Sequence, residues 1–437
     1  MTDTAIDTAF AWEALDSRGK PTVACEITLR DGSTGQVTVP SGASTGRHEA
    51  RELRDGGLRY DGNGVRDAVG NVNTVLAESV RGIDSLDQPQ VDAALRAADG
   101  SDDLGRLGAN AVLAVSIGTA IAAAAAQHLP LYRTVDDTGR APLLPLPMVN
   151  ILSGGAHAGR SIDIQDFLVV PMSATSFSDA IEICSRVRRG ATQVLAERDL
   201  PVALVADEGG LGPILPSNRS ALDVMVAAIE RAGLTPGADA AIAIDVAATQ
   251  FHTAGDYVLA AENGRRLTST ELIDELVAWS GDYPIVSLED ALAEDDWDGW
   301  ALATARLGGV QLLGDDLFVT NERRLRRGVA DGVANAVLVK PNQIGTLTDA
   351  RSVVAIAHAA GYRTVLSARS GETEDSWLAD LAIGWRTGQI KVGSTMRSER
   401  TAKWNRLLRL EAELGDSAEY AGAAAITTAP HPVVSAL

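Results

Sequence analysis

Five charged residues close apolar runs in the second half of the chain. Asp245 ends AIAID, Glu289 ends PIVSLE and Asp315 follows VQLLG, while Lys340 ends AVLVK and Lys391 ends GQIK. If those runs are strands of one closed sheet, all five side chains reach the same mouth. Three convergent carboxylates repel one another unless a cation lies between them, and hard oxygen donors suit Mg²⁺ above other ions. Cations nearby push an ammonium towards its neutral form, so a lysine at such a mouth can serve as a base. The plainer alternatives are that each acid caps the helix that follows it, or that each lysine only pairs with a metal carboxylate.

The lysines are informative because they are rare. Lys20, Lys340, Lys391 and Lys403 are the only ones among 38 basic residues. A chain that uses Arg wherever a generic cation suffices keeps Lys where Arg fails, and proton transfer is such a place. Lys403 fits a helical pattern and reads as structural. Pro341 disfavours helical backbone at Lys340, as expected at a strand end.

Positioning these groups requires repeated strand-helix units. The marked residues Glu208, Asp245, Glu289, Asp315, Lys340, Arg369 and Lys391 stand 22 to 44 positions apart, the length of one strand plus one helix. The runs FLVVP, PVALVADEGG, AIAIDVAA, PIVSLED, VQLLGDD, AVLVKPN, TVLSARSG and QIKVG predict a parallel α/β barrel with its chemistry at the strand C-terminal ends. The first 140 residues read as a smaller α+β domain and 141–437 as the barrel. PTVACEITLRDGSTGQVTV predicts a hairpin turning at Asp31-Gly32. Helical patterns cover 65–82, 88–98 and 109–127, and APLLPLPMVN reads as a connection. The small-residue loops PSGASTG and SGGAHAG are of the kind that close over ligands, and Arg369-Ser370 is suited to a phosphate or carboxylate.

Composition narrows the function classes. A formal charge of −20 disfavours nucleic acid and anionic membranes as partners. The uncharged stretch 109–127 is dominated by Ala and small polar residues, which predicts a buried helix rather than a membrane span. Cys25 and Cys184 fit no metal spacing or disulfide framework, and the N-terminus lacks a signal-peptide pattern, so a cytoplasmic setting is expected.

The ordered segments DSRGKPTV, VPSGASTGRHEARELRDG, SGGAHAG, VADEGGLGP, AIDVAATQF, SLEDALAEDDW, GDDLFVTN, LVKPNQIG, ARSGETED and GQIKVGSTMRSERTAKWNRLLR together resemble enolase over nearly the whole chain. The resemblance implies an α+β N-terminal domain, a barrel with irregular first units, two Mg²⁺ ions, a small anionic phosphate or carboxylate substrate, and a homodimer or an octamer of dimers. By position it implies Asp245, Glu289 and Asp315 as metal ligands and Ser44 as a lid-loop contact to the second metal. Lys340 matches the base that removes the C2 proton of 2-phosphoglycerate, and Glu208 the acid that helps the C3 hydroxyl leave. Lys391 matches the partner of the substrate carboxylate, Arg369 and Ser370 the phosphate contacts, and His157 a substrate-closing loop.

The sequence departs from the family pattern at the acid side. Ala368 stands where His is usual, and Gln165 is followed by Asp166 where Glu is usual. Ser153, Ala291 and Leu211 replace Asn, Pro and an aromatic residue. These changes leave three readings. The one they favour is a paralogue in phosphonate metabolism, like carboxyphosphonoenolpyruvate synthase, with a roomier acid side. The second is an ordinary enolase interconverting 2-phosphoglycerate and phosphoenolpyruvate. The third is an enolase-like binding protein without turnover.

Overall fold

The computed structural model describes residues 3–42 and 46–427. Ser44, expected on a lid, lies outside the described residues. The N-terminal part opens with an antiparallel meander of β1 (Ile6–Leu15), β2 (Pro21–Leu29) and β3 (Thr34–Thr38). The hairpin turns where expected, with Gly32 at φ 86. β1 has no clean period of two to mark it in the sequence. Ala9 and Ala11 point inward while Phe10 is 60% exposed, yet Ala14 and Leu15 break the alternation.

Helices follow at the expected places. Residues 66–80 form one helical stretch with a wide-wound middle, Val72–Leu76, and are followed by Gln88–Asp99 and Ala109–Ala126. The last is 89% buried, and among the described residues it is the one helix long and apolar enough to cross a membrane. It lies directly on β3. A methyl group added to Gly35 would sit 2.3 Å from backbone atoms of Ala122 and Gly118, so glycine sets the closeness of that contact.

The rest of the described chain centres on a closed eight-stranded barrel. Its strands are β4 (Leu146–Ser153), β5 (Asp166–Val170), β6 (Ala241–Asp245), β7 (Ile285–Glu289), β8 (Gln311–Gly314), β9 (Ala336–Val339), β10 (Arg363–Ser367) and β11 (Gly388–Gly393). β5 runs antiparallel to both β4 and β6, and the remaining pairs are parallel.

Two expectations are corrected here. The barrel is not uniformly parallel: no long helix separates β4 from β5, and a parallel return needs a long crossover. PVALVADEGG is also not a barrel strand. It is a loop held by single bridges from Val205 and Leu152 to Leu211, while the presumed connection APLLPLPMVN contributes the first strand, β4. Prolines disguised β4, but Pro147 stands beside Ile390 of β11 in the closed sheet.

The barrel interior is filled below the mouth. Leu146, Met148, Leu168, Leu313, Leu338 and Val365 pack with Ala425 and Ile426 from the C-terminal segment. Gln311 and Gln389 exchange side-chain hydrogen bonds within this layer, and the Gln389 amide also donates to the Ala425 carbonyl at 3.0 Å.

Candidate active site

The strand ends carry the expected residues. Asp245 and Glu289 are the last residues of β6 and β7, neighbours in register, and Asp315 follows β8. Lys340 follows β9 in extended backbone (φ −125, ψ 105) and precedes the short helix Pro341–Ile344. Lys391 lies within β11, paired with Ser367 of β10, and Ala368 continues from that strand with its N–H donated to the Lys391 carbonyl at 2.9 Å.

Two ammonium groups organise the carboxylates. Lys391 Nζ donates to Asp245 Oδ2 at 2.7 Å and to both oxygens of Glu289 at 2.7 and 2.8 Å. Lys340 Nζ pairs with Asp315 Oδ2, and Gln343 Nε2 donates to Asp315 Oδ1 at 2.8 Å. Burial lowers Lys340, and the nearby cations Arg369 and Lys391 lower it as expected, but the Asp315 and Glu289 carboxylates together raise it on balance. Lys391 is held higher still by Asp245 and Glu289. Burial and the Asp245 charge push Glu289 well above the usual carboxylate range. Burial and Asp315 carry Asp316 to about 8.

This donor set fits a hard cation. Its oxygens are buried and mutually repelling, with lysine ammoniums holding positive charge against them. Asp290, Asp315 and Asp316 bring carboxylate oxygens within 4.8 Å of one another, so the acidic cluster is broader than the three residues first singled out. Asp290 sits at φ 41 and accepts the backbone N–H groups of Asp315 at 3.0 Å and Asp316 at 2.7 Å, which fixes the turn that presents Asp315.

Reversal of β5 explains how Gln165 and Asp166 join the mouth. Asp166 begins β5 and Gln165 immediately precedes it, and in an antiparallel strand that end lies beside Asp245. Gln165 Nε2 donates to Asp245 Oδ2 at 2.9 Å, and its Oε1 accepts from Gln250. Asp166 is buried among Asn150 Nδ2 at 2.5 Å, Ser153 Oγ at 2.7 Å and His157 Nδ1 at 2.9 Å. His157, Asp166 and Glu208 place ligand atoms within 4.8 Å of one another. Burial opposes charge on His157, but Asp166 and Glu208 overcome it and raise the imidazole to about 9. Burial also opposes charge on Glu208, yet His157 and Arg400 hold it below the usual value.

On the opposite rim, Arg369 Nη1 donates to Glu49 Oε2 at 2.8 Å and to Asn342 Oδ1 at 3.1 Å. Glu49 Oε1 also accepts the N–H of Gly46 at 2.8 Å. Ser370 is buried beside Arg369, and its carbonyl accepts from Ser17 Oγ at 3.3 Å.

Sequence reasoning missed Glu49, Asp290, Gln343 and Arg400. Three of these lie one to three residues from residues that were singled out, but only contacts across the barrel distinguish them from ordinary polar neighbours.

A family model for the enolase C-terminal TIM barrel domain matches residues 141–429, and one for the enolase N-terminal domain matches 6–135. The chain belongs to the enolase family. It is 52% identical over 424 residues to the enolase of Acidothermus cellulolyticus, which covers 96% of this chain and 97% of that one. It is therefore an enzyme of the enolase lyase type. The match supports the family but gives no support to the phosphonate paralogue favoured from Ala368 and Asp166. Both departures stand in a chain that matches a curated enolase from end to end.

Proposed function

We propose that this chain is a magnesium-dependent enolase interconverting 2-phosphoglycerate and phosphoenolpyruvate. The observation that carries the reading is the end-to-end match to an enolase together with a complete set of charged groups at one mouth. Asp245, Glu289 and Asp315 would hold the metal, with Ser44 serving a second ion. Bound there, Mg²⁺ would neutralise the charge that develops on the substrate carboxylate as its neighbouring proton leaves. Lys340 takes the C2 proton, and Lys391 steadies the carboxylate. Arg369 and Ser370 hold the phosphate. Gln165, Asp166, His157 and Glu208 line the side from which the C3 hydroxyl departs.

Lys340 pairs with Asp315, one of the residues that would hold the metal, so the proposed base and the proposed metal site share a carboxylate. Ala368 leaves the acid side to the pair His157–Asp166 and to Glu208. The same reading divides the chain at about residue 140 and carries with it a cytoplasmic homo-oligomer.

The test is turnover of 2-phosphoglycerate with Mg²⁺, followed by enol absorbance. Turnover at the level of an ordinary enolase is expected. Solvent exchange of the C2 proton without elimination would instead restore the altered-product reading, and no exchange at all would favour a binding protein.

A further inference from the structure

Arg400 lies in the first turn of the helix Ser398–Leu414, which follows the last barrel strand. Its side chain is fully buried, and its ion pair among the described residues is a long one, with Glu399 Oε1 3.5 Å from Nε. Its fork reaches backbone carbonyls instead. Nη1 donates to the carbonyls of Arg369 at 2.6 Å and Val392 at 2.9 Å. Nη2 donates to the carbonyl of Ser370 at 2.6 Å, with the carbonyl of Asp207 at 3.5 Å. One guanidinium thus grips three separate segments, and each carries or adjoins a residue of the site: Arg369 and Ser370, Lys391, and Glu208.

The segments also crowd together around it. A methyl group on Gly393 would lie 2.9 Å from Arg400 Cδ and 2.8 Å from the Glu208 carbonyl, so the strand is stripped to glycine where they pass. That carbonyl accepts the Ser394 N–H at 2.8 Å, tying the Glu208 loop to the end of β11. Burying a cation is costly, and an apolar side chain can fill such a space at lower energy. A rigid planar fork holding several carbonyls at fixed separations is what Arg does and Lys does only in part.

We propose that Arg400 is the positioning residue that sets the phosphate contacts Arg369 and Ser370, and the Glu208 loop, in register with Lys391. The proposal rests on the functional reading above for its substrate, but the geometry it describes can be measured without turnover. It is tested with Arg400→Met and Arg400→Lys in the full chain. A displacement of about 1 Å in a site can lower activity about 100-fold. Arg400→Met is expected to lose about that much kcat/KM for 2-phosphoglycerate, with Arg400→Lys recovering about tenfold of it. Mg²⁺ affinity by calorimetry stays unchanged, because no carboxylate of the metal set touches Arg400.

Near-normal kcat/KM in Arg400→Met overturns the proposal. So does a loss in both variants that follows their thermal midpoints and their Mg²⁺ affinity alike, since that describes a general structural role. If the unaltered protein does not turn over 2-phosphoglycerate, the functional reading fails and amide hydrogen exchange decides the positioning role. Loss of protection at Ser394 and in 369–371, with 336–339 unchanged, supports it; unchanged protection there overturns it. Should Arg400→Met not fold, the same measurements on Arg400→Lys carry the test.

Discussion

At the residue scale, the site is a balance of buried charges. Lys340 faces Asp315, and Lys391 faces Asp245 and Glu289. Replacing Lys340 by Ala should abolish C2 proton exchange while leaving Mg²⁺ binding measurable by calorimetry; continued exchange would remove Lys340 from the role of base. His157 gives a pH signature. Its imidazole titrates near 9 in the fold because Asp166 and Glu208 outweigh burial, against about 6.5 when unfolded. A raised pKa contributes stability that is complete below 6.5 and is lost as pH rises through 9. The metal-free protein should therefore lose thermal stability between those values, and His157→Gln should flatten that part of the profile. An equally steep fall in the variant would place the effect elsewhere.

At the element scale, two short features set the mouth. The antiparallel β5 brings its first residue, Asp166, and the preceding Gln165 level with the end of β6. The turn after β7 holds Asp290 at a positive φ so that it accepts the N–H groups that follow β8. Asp290→Ala leaves those donors buried without their carboxylate, a loss of about 1–3 kcal/mol each at most. It is expected to weaken Mg²⁺ binding more than it raises the KM for substrate, as separate titrations would show. In the N-terminal part, Gly35→Ala drives a methyl group into the backbone of the helix Ala109–Ala126. Overpacking of this kind costs about 1–3 kcal/mol, and a lowered unfolding midpoint checks it.

At the scale of the whole molecule, the acid-rich mouth concentrates negative charge that a bound cation would relieve. Asp245, Glu289, Asp290, Asp315 and Asp316 are gathered at one rim, and burial with mutual repulsion raises Glu289, Asp290 and Asp316. An ion bound only by the folded chain at 100 times its dissociation constant stabilises it by about 2.7 kcal/mol. Mg²⁺ should raise the unfolding temperature and release protons on binding, and a chelator should reverse both. Calorimetry in buffers of different ionisation enthalpy would expose the proton release. An unfolding midpoint indifferent to Mg²⁺ would refute metal binding at this mouth.

The charged residues at the strand ends were legible in the sequence because each interrupts an apolar run at the spacing of a strand-helix unit. The expectation of a hard divalent cation rested on residue type together with the strand-end positions of three carboxylates. The direction of β5, the hidden strand β4 and the loop bearing Glu208 were not legible: a short apolar run has no direction, and proline obscures a strand whose neighbours satisfy it. Nor could the sequence decide how the departures Ala368 and Asp166 bear on function, because their neighbours come from other strands. Asp166 is short, but Asn150, Ser153 and His157 close around it. Chemistry is written locally in residue types, whereas the partner of each charge is fixed only when the barrel closes and distant segments meet.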